Sequence, residues 1–162
     1  PFDPVGRARI AQLINKSNQF NVTTRRYSEN DIETFEQDNT KFTMQVRLSD
    51  KFGDNGMISV VIFEKHSTHW ICDTWLMSCR VLGRGVEKAV LDLVAAAARA
   101  EGATYIEATY VPTKKNALVR DLFGSLGFVQ VNKDLDGTSL WRLDIATHRV
   151  LDLPIRIKAL FK

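Results

Sequence analysis

Cysteine and histidine are scarce, with two Cys and three His in 162 residues. Cys72 and Cys79, seven positions apart, would stand about 23 Å apart on a shared extended strand and could not bridge each other there. His66, His69 and His148 lack Cys or carboxylate partners at metal-ligand spacing, so no metal is expected. That thiol usage fits a reduced, cytoplasmic protein. No apolar run reaches the roughly 18 residues of a membrane span, and the opening residues lack the charged-then-apolar pattern of a secretory leader. The net charge is only +3, and the basic residues are scattered apart from Arg25-Arg26 and Lys114-Lys115. Neither a membrane nor a nucleic acid is therefore an expected partner. There is no internal repeat. Pro1 is an unusual first residue, and a piece of a longer protein is expected.

What remains is ordinary globular material, 44% hydrophobic and 25% charged, enough for one domain with a sizeable core. Residues 1–7 read as a linker or tail. Helical spacing of Ile10, Leu13 and Ile14 predicts a helix over 8–16, closed by the polar stretch 15–21. Ser28-Glu29-Asn30-Asp31 resembles a capping box for a short second helix that buries Ile32 and Phe35. Period two takes over at 42–48, with Phe42, Met44, Val46 and Leu48 on one face. A turn-rich stretch at 50–56, holding Asp50, Asp54 and Gly56, should reverse the chain into a β-branched strand over 57–63. A third strand is predicted over 70–79. Its alternation puts Ile71, Asp73, Trp75, Met77 and Cys79 on one face, and Cys72, Thr74, Leu76 and Ser78 on the other. Three strands with short turns read as an antiparallel meander.

The sharpest stretch follows, Trp75-Leu76-Met77-Ser78-Cys79-Arg80-Val81-Leu82-Gly83-Arg84-Gly85-Val86-Glu87. An apolar strand runs through two glycines and two arginines into the strongest helix pattern, over 86–100 and closed by Gly102. A Gly-rich turn at a helix N-terminus offers free N–H groups and a positive dipole end to phosphate. The same glycines could equally make only a tight connection. A strand over 103–111, a helix over 115–126 with Leu118, Leu122 and Leu126 in register, and two short strands over 128–131 and 139–145 complete an α/β pattern. Its sheet is mixed and mostly antiparallel, with one β-α-β crossover. The domain is expected to span 8–146, leaving 147–162 as a C-terminal tail without assigned structure.

This order, with Arg80, Gly83 and Gly85 in the spacing Gln/Arg-x-x-Gly-x-Gly/Ala, resembles the GNAT acyltransferase fold. The resemblance implies that the backbone of Arg80, Val81, Leu82, Gly83, Arg84 and Gly85 holds the pyrophosphate of coenzyme A. It also matches Asn116, Phe123 and Leu126-Gly127-Phe128 to a later helix that flanks the pantetheine arm. The blocks 50–56, 75–85 and 110–116 are further similar to the C-terminal part of FkbH-like proteins. Members of that family join a haloacid-dehalogenase-type phosphatase domain to a GNAT-like domain. The likeness implies loading of a glyceryl-type acyl unit onto the phosphopantetheine of an acyl carrier protein, as in methoxymalonyl extender-unit biosynthesis for polyketides. The Asp-x-Asp phosphatase signature is not in these residues, so the partner phosphatase domain is expected upstream.

Individual residues carry different weights. Cys79 is expected at a strand end just before positive charge, which suits a nucleophilic thiol that could hold an acyl group, or it is a small core residue. Cys72 reads as structural. Arg80 and Arg84 have forked guanidinium groups suited to phosphate. Asn116 could bind pantetheine amides or cap a helix. Lys114 and Lys115 could attract an acidic carrier protein or could simply be solvated. Phe123 stands where many GNAT enzymes place a tyrosine acid and has no proton to give; Tyr110 could substitute or be a strand residue. No Glu or His is placed as a base for an amine. A catalytic acyltransferase domain, a non-catalytic module that docks the carrier arm, and a coenzyme A-dependent N-acetyltransferase are the three readings that follow.

Overall fold

The computed structural model describes residues 1–150 and 152–159. Its helices and strands are α1 (Arg7–Lys16), α2 (Glu29–Gln37), β1 (Lys41–Asp50), β2 (Gly53–Lys65), β3 (His69–Met77), α3 (Val86–Ala100), β4 (Tyr105–Tyr110), α4 (Leu122–Ser125), β5 (Val129–Lys133) and β6 (Ser139–Asp144). They form one six-stranded sheet in the order β1-β2-β3-β4-β6-β5. The meander β1-β2-β3 is antiparallel, and α3 then carries the chain across to β4, which pairs parallel to β3. The pairs β4-β6 and β5-β6 return to antiparallel. No helix among the described residues is long and apolar enough to cross a membrane.

The local causes are legible. Ser28 accepts the Asp31 N–H at 3.2 Å while Asp31 accepts the Ser28 N–H at 2.7 Å, a reciprocal cap that starts α2. Helix α3 turns Val86, Val90, Leu91, Val94 and its small alanines inward. It stops where Gly102 adopts φ +87° and the Ala103 N–H reaches back to the Ala98 carbonyl at 2.9 Å. One face of the sheet packs Met44, Val61, Phe63, Trp70 and Trp75 against α3 and α4. The other packs Met57, Val60, Ile62 and Leu76 against Ile10, Ile14 and Ile32.

Two expectations are corrected. Residues 1–7 are not a free tail: Phe2 is buried in the second core, and its N–H donates to Thr43 Oγ1 at 3.2 Å. The helix over 115–126 is broken into a 3-10 turn at Ala117–Val119 and the single turn α4. A 3-10 turn rotates each side chain further than an α-helix does. Leu118 therefore faces solvent, 57% exposed, and Val119 and Phe123 take the buried positions.

Candidate functional site

Strands β3 and β4 share only four register pairs, His69–Cys72 against Tyr105–Ala108. The reason is a bulge in β3. Ile62 faces Thr74 and Phe63 faces Cys72, which leaves Asp73 as the extra residue. A strictly alternating strand would put Cys72 and Trp75 on opposite faces, but one inserted residue resets the pleat and both lie in the same core. Past the bulge the two parallel strands no longer pair. A crevice outside the C-terminal ends of parallel strands is where α/β sheets take ligands.

Here the crevice is filled by the chain itself. Phe20 accepts the Met77 N–H at 3.2 Å, and Val22 donates to the Trp75 carbonyl at 3.2 Å, so Asn21 bridges Leu76 as an antiparallel strand would. On the far side, the Val111 N–H donates to the Val22 carbonyl at 2.9 Å. Thr23 Oγ1 adds a bond to the Asp73 carbonyl at 2.8 Å. Phe20, Asn21 and Val22 are all buried. Burial of the two apolar side chains contributes about 1.5–3 kcal/mol each, and each main-chain bond about 1 kcal/mol. This strap is part of the core. A polar reading of residues 15–21 passed over it; Phe20 and Val22 flanking Asn21 was the period-two signal that could have marked it.

Two buried polar residues hold the strap. Asn116 Nδ2 donates to the Asn21 carbonyl at 3.0 Å and to the Val111 carbonyl at 2.9 Å, and its Oδ1 accepts the Thr113 N–H at 2.7 Å. Asn116 is wholly buried and makes no side-chain cap to a helix. Its amide, expected to meet pantetheine or cap a helix, ties the loop that follows β4 to the strap. Below it, the nearly inaccessible Asp73 carboxylate pairs with Arg25 and accepts the Tyr27 hydroxyl at 2.8 Å. Burial, then the Asp73 hydrogen bond, pushes the Tyr27 phenol up to about 12.

The Gly-rich loop on the other bank is lightly held. β3 ends at Met77, and Cys79 opens a 3-10 turn, Cys79–Val81, rather than ending the strand. Both Cys79 and Arg80 are exposed, so Cys79 is not a core residue. Val81 is buried and anchors the turn, and Leu82 packs beside it. The N–H groups of Val81, Leu82 and Arg84 bond to carbonyls inside the turn. Gly83 and Gly85, at φ +74° and +77°, do not, among the described residues. Nothing lies within 4 Å of where a Gly83 Cβ would stand. A Cβ on Gly85 would meet Leu153 Cδ2 at 3.4 Å, which brings the C-terminal tail to the loop. Helix α3 begins without a side-chain cap.

Its charges are partly engaged already. Arg84 Nη1 pairs with Asp50 Oδ2 at 2.7 Å. The Phe52 N–H, then Arg84 and Asn55, hold the Asp50 carboxyl below its usual range. Glu87 stands in the first turn of α3, at the positive dipole end where phosphate was expected. Arg80 is exposed, and among the described residues its side chain bonds only to Ser78 Oγ, at 3.4 Å.

Between the two banks lies a groove of about 660 Å³. Phe20, Met77 and Cys79 line it, with Lys16, Lys114 and Lys115, and among the described residues no carboxylate or histidine lines it. The acid candidates lie elsewhere. Phe123 is fully buried among Trp75, Phe128 and Trp141. The Tyr110 hydroxyl is buried against Asn116 Oδ1 at 3.3 Å. Burial pushes the Cys72 thiol up, which leaves it inert as a nucleophile. His148 Nε2 meets Asp92 Oδ1 at 2.7 Å, fixing the start of the tail on α3.

No protein-family model matches the chain, and no curated protein matches it. Solved structures do. The GNAT domain of S. lividans PAT superposes with TM-score 0.68 at 18% identity, over 89% of this chain and 88% of that one. The ribosomal-protein-S18-alanine N-acetyltransferase from Escherichia coli gives TM-score 0.63 at 14% identity, over 89% and 90%. An aminoglycoside 6'-N-acetyltransferase complexed with coenzyme A gives TM-score 0.63 at 9% identity, over 88% and 92%. The chain has the GNAT fold, a mixed six-stranded sheet flanked by helices.

Proposed function

We propose that this domain is acyltransferase-like and receives the phosphopantetheine arm of an acyl carrier protein, exchanging an acyl group at the Cys79 thiol. The observation that carries the reading is the groove itself: an exposed cysteine, three lysines and no lining carboxylate. Gly83 leaves the loop backbone open to a phosphate near α3, with Arg80 in the same loop. The Cys79 sulfur, after losing its proton to solvent, attacks the acyl carbonyl carbon. A new carbon–sulfur bond forms, the old thioester bond breaks, and the departing thiolate takes a proton from solvent. Thiol-to-thiol exchange needs neither a strong base nor a strong acid, which suits a groove lined by no Glu, His or Tyr. A glyceryl unit handed on by an upstream phosphatase domain is the acyl group that the FkbH-like resemblance implies.

A coenzyme A-dependent N-acetyltransferase is the second reading, favoured by the fold and by the N-acetyltransferases that share it. Three ammonium groups around the groove oppose a protonated amine acceptor. Incubation with an acyl thioester of phosphopantetheine, followed by intact-mass and peptide mapping, separates the readings. A mass increment on Cys79, removed by hydroxylamine, is the expected result. Saturable arm binding with no acylated residue would make the domain a docking module. Acetyl transfer to amines from acetyl-coenzyme A would establish the second reading.

A further inference from the structure

We propose that the strap of residues 20–23 permanently seals the crevice between β3 and β4. A phosphate-bearing thiol arm then lies outside it, along the groove that carries Cys79. The inference rests on the arm-binding reading above and adds where the arm runs.

An extended arm with amide groups would recognise a protein most simply by pairing with a free strand edge. Beyond the bulge, the β3 edge that faces β4 is such an edge only if nothing else pairs with it. In this chain the Trp75 carbonyl and the Met77 N–H are both taken, by Val22 and Phe20. The strap closes the other side as well, through the Val22 carbonyl and the Val111 N–H. Its two apolar side chains point into the core, and Asn116 clamps the Asn21 carbonyl from within. Just after the strap, Arg25 and Tyr27 are latched to the buried Asp73. An arm could enter the crevice only by binding the strap-free state far more tightly than the closed one. The groove asks for no such change. Phe20 and Met77, joined by the last strap bond, line it together with Cys79.

Amide hydrogen exchange on the 162-residue chain, with and without saturating phosphopantetheine, tests the placement. Saturation is set from calorimetry on the same sample. The Val22, Met77 and Val111 amides report the strap. Protection unchanged within about twofold in the bound state is the expected result. Loss of their protection on binding, by a hundredfold or more, would overturn the sealed crevice while leaving the arm-binding reading intact. Absence of binding in calorimetry would instead overturn that reading and this inference with it. A second measurement uses the Asn21→Cys/Leu76→Cys pair, placed where the strap bridges β3. Equal phosphopantetheine affinity before and after reduction of the cross-link supports the proposal. Affinity that appears only on reduction overturns it.

Discussion

Residues 20–27 and residues 78–85 flank the same end of β3, and they differ in how their polar groups are satisfied. The first segment is buried at residues 20–22 and meets β3, Val111, Asn116 and Asp73 through protein hydrogen bonds. The second keeps an exposed thiol and an exposed arginine, and two of its glycine amides lack a carbonyl partner in the turn. An unsatisfied group at the surface can take a ligand without first breaking anything, whereas a satisfied buried one cannot. On that physical ground the strap bank is structure, and the loop bank is the one we propose as the site. The strongest way to break the comparison is to weaken the strap. Phe20→Ala should cost about 3–5 kcal/mol in urea unfolding, the range for a fully buried aromatic. A loss under about 1 kcal/mol would mean that the segment packs loosely, and the contrast would vanish.

Asn116→Ala attacks the same bank through its polar core. It deletes the amide that serves the Asn21 and Val111 carbonyls and the Thr113 N–H, and leaves those groups buried without a partner. The expected cost is about 3 kcal/mol. If Asn116 instead served a bound arm, the variant would unfold like the parent and lose only affinity. Calorimetry with phosphopantetheine beside the urea curve separates the two roles.

These two residues also show where the sequence was readable. The crossover from β3 through α3 to β4, the capping box at Ser28 and the glycine stop at Gly102 are local patterns, and each appears in the structure as the pattern implied. The bulge at Asp73 is not local: it is defined by which residue of β2 faces which of β3, and no period in β3 alone announces it. The strap has the same character. Phe20 and Val22 are two apolar residues in a polar stretch until β3 and Val111 lie on either side of them. Asn116 stands out in the sequence as a pantetheine or helix-cap candidate, but its partner Asn21 is 95 positions away, and spacing cannot supply such a contact. The loop at 80–85 was legible because its glycines act on their own backbone. That Arg84 faces Asp50 was not, since β1 contributes the carboxylate.

The Asp73 latch can be read through pH. The Tyr27 phenol is raised to about 12 in the folded protein, against about 10 in an unfolded chain. Between those values the unfolded chain releases its proton while the folded one keeps it. The contribution of Tyr27 is therefore present in full below pH about 10 and is lost as pH rises through about 12. The stability difference between wild type and Tyr27→Phe should narrow over that window. A difference independent of pH would mean that the hydroxyl is not held by Asp73.

On the loop bank the expected effects are smaller. Gly83→Ala places a Cβ in open space, but at φ +74°, where an L-residue is strained. About 1 kcal/mol of stability should go. Phosphate affinity should fall only if that backbone conformation serves the ligand. Cys79→Ala is the smallest perturbation of all. The thiol is exposed and makes no hydrogen bond among the described residues, so unfolding should move by less than about 0.5 kcal/mol. Labelling by an acyl thioester should nonetheless disappear. That pairing of a negligible structural effect with a complete chemical one is what distinguishes a site residue from a packing residue, and Cys72 supplies the control within the same chain. It is buried, its thiol pushed up by desolvation, and Cys72→Ala should do the opposite. Stability should fall with the lost packing while acylation at Cys79 persists. If both variants lost acylation equally, the label would report folding rather than a nucleophile, and the loop bank would hold no reactive thiol.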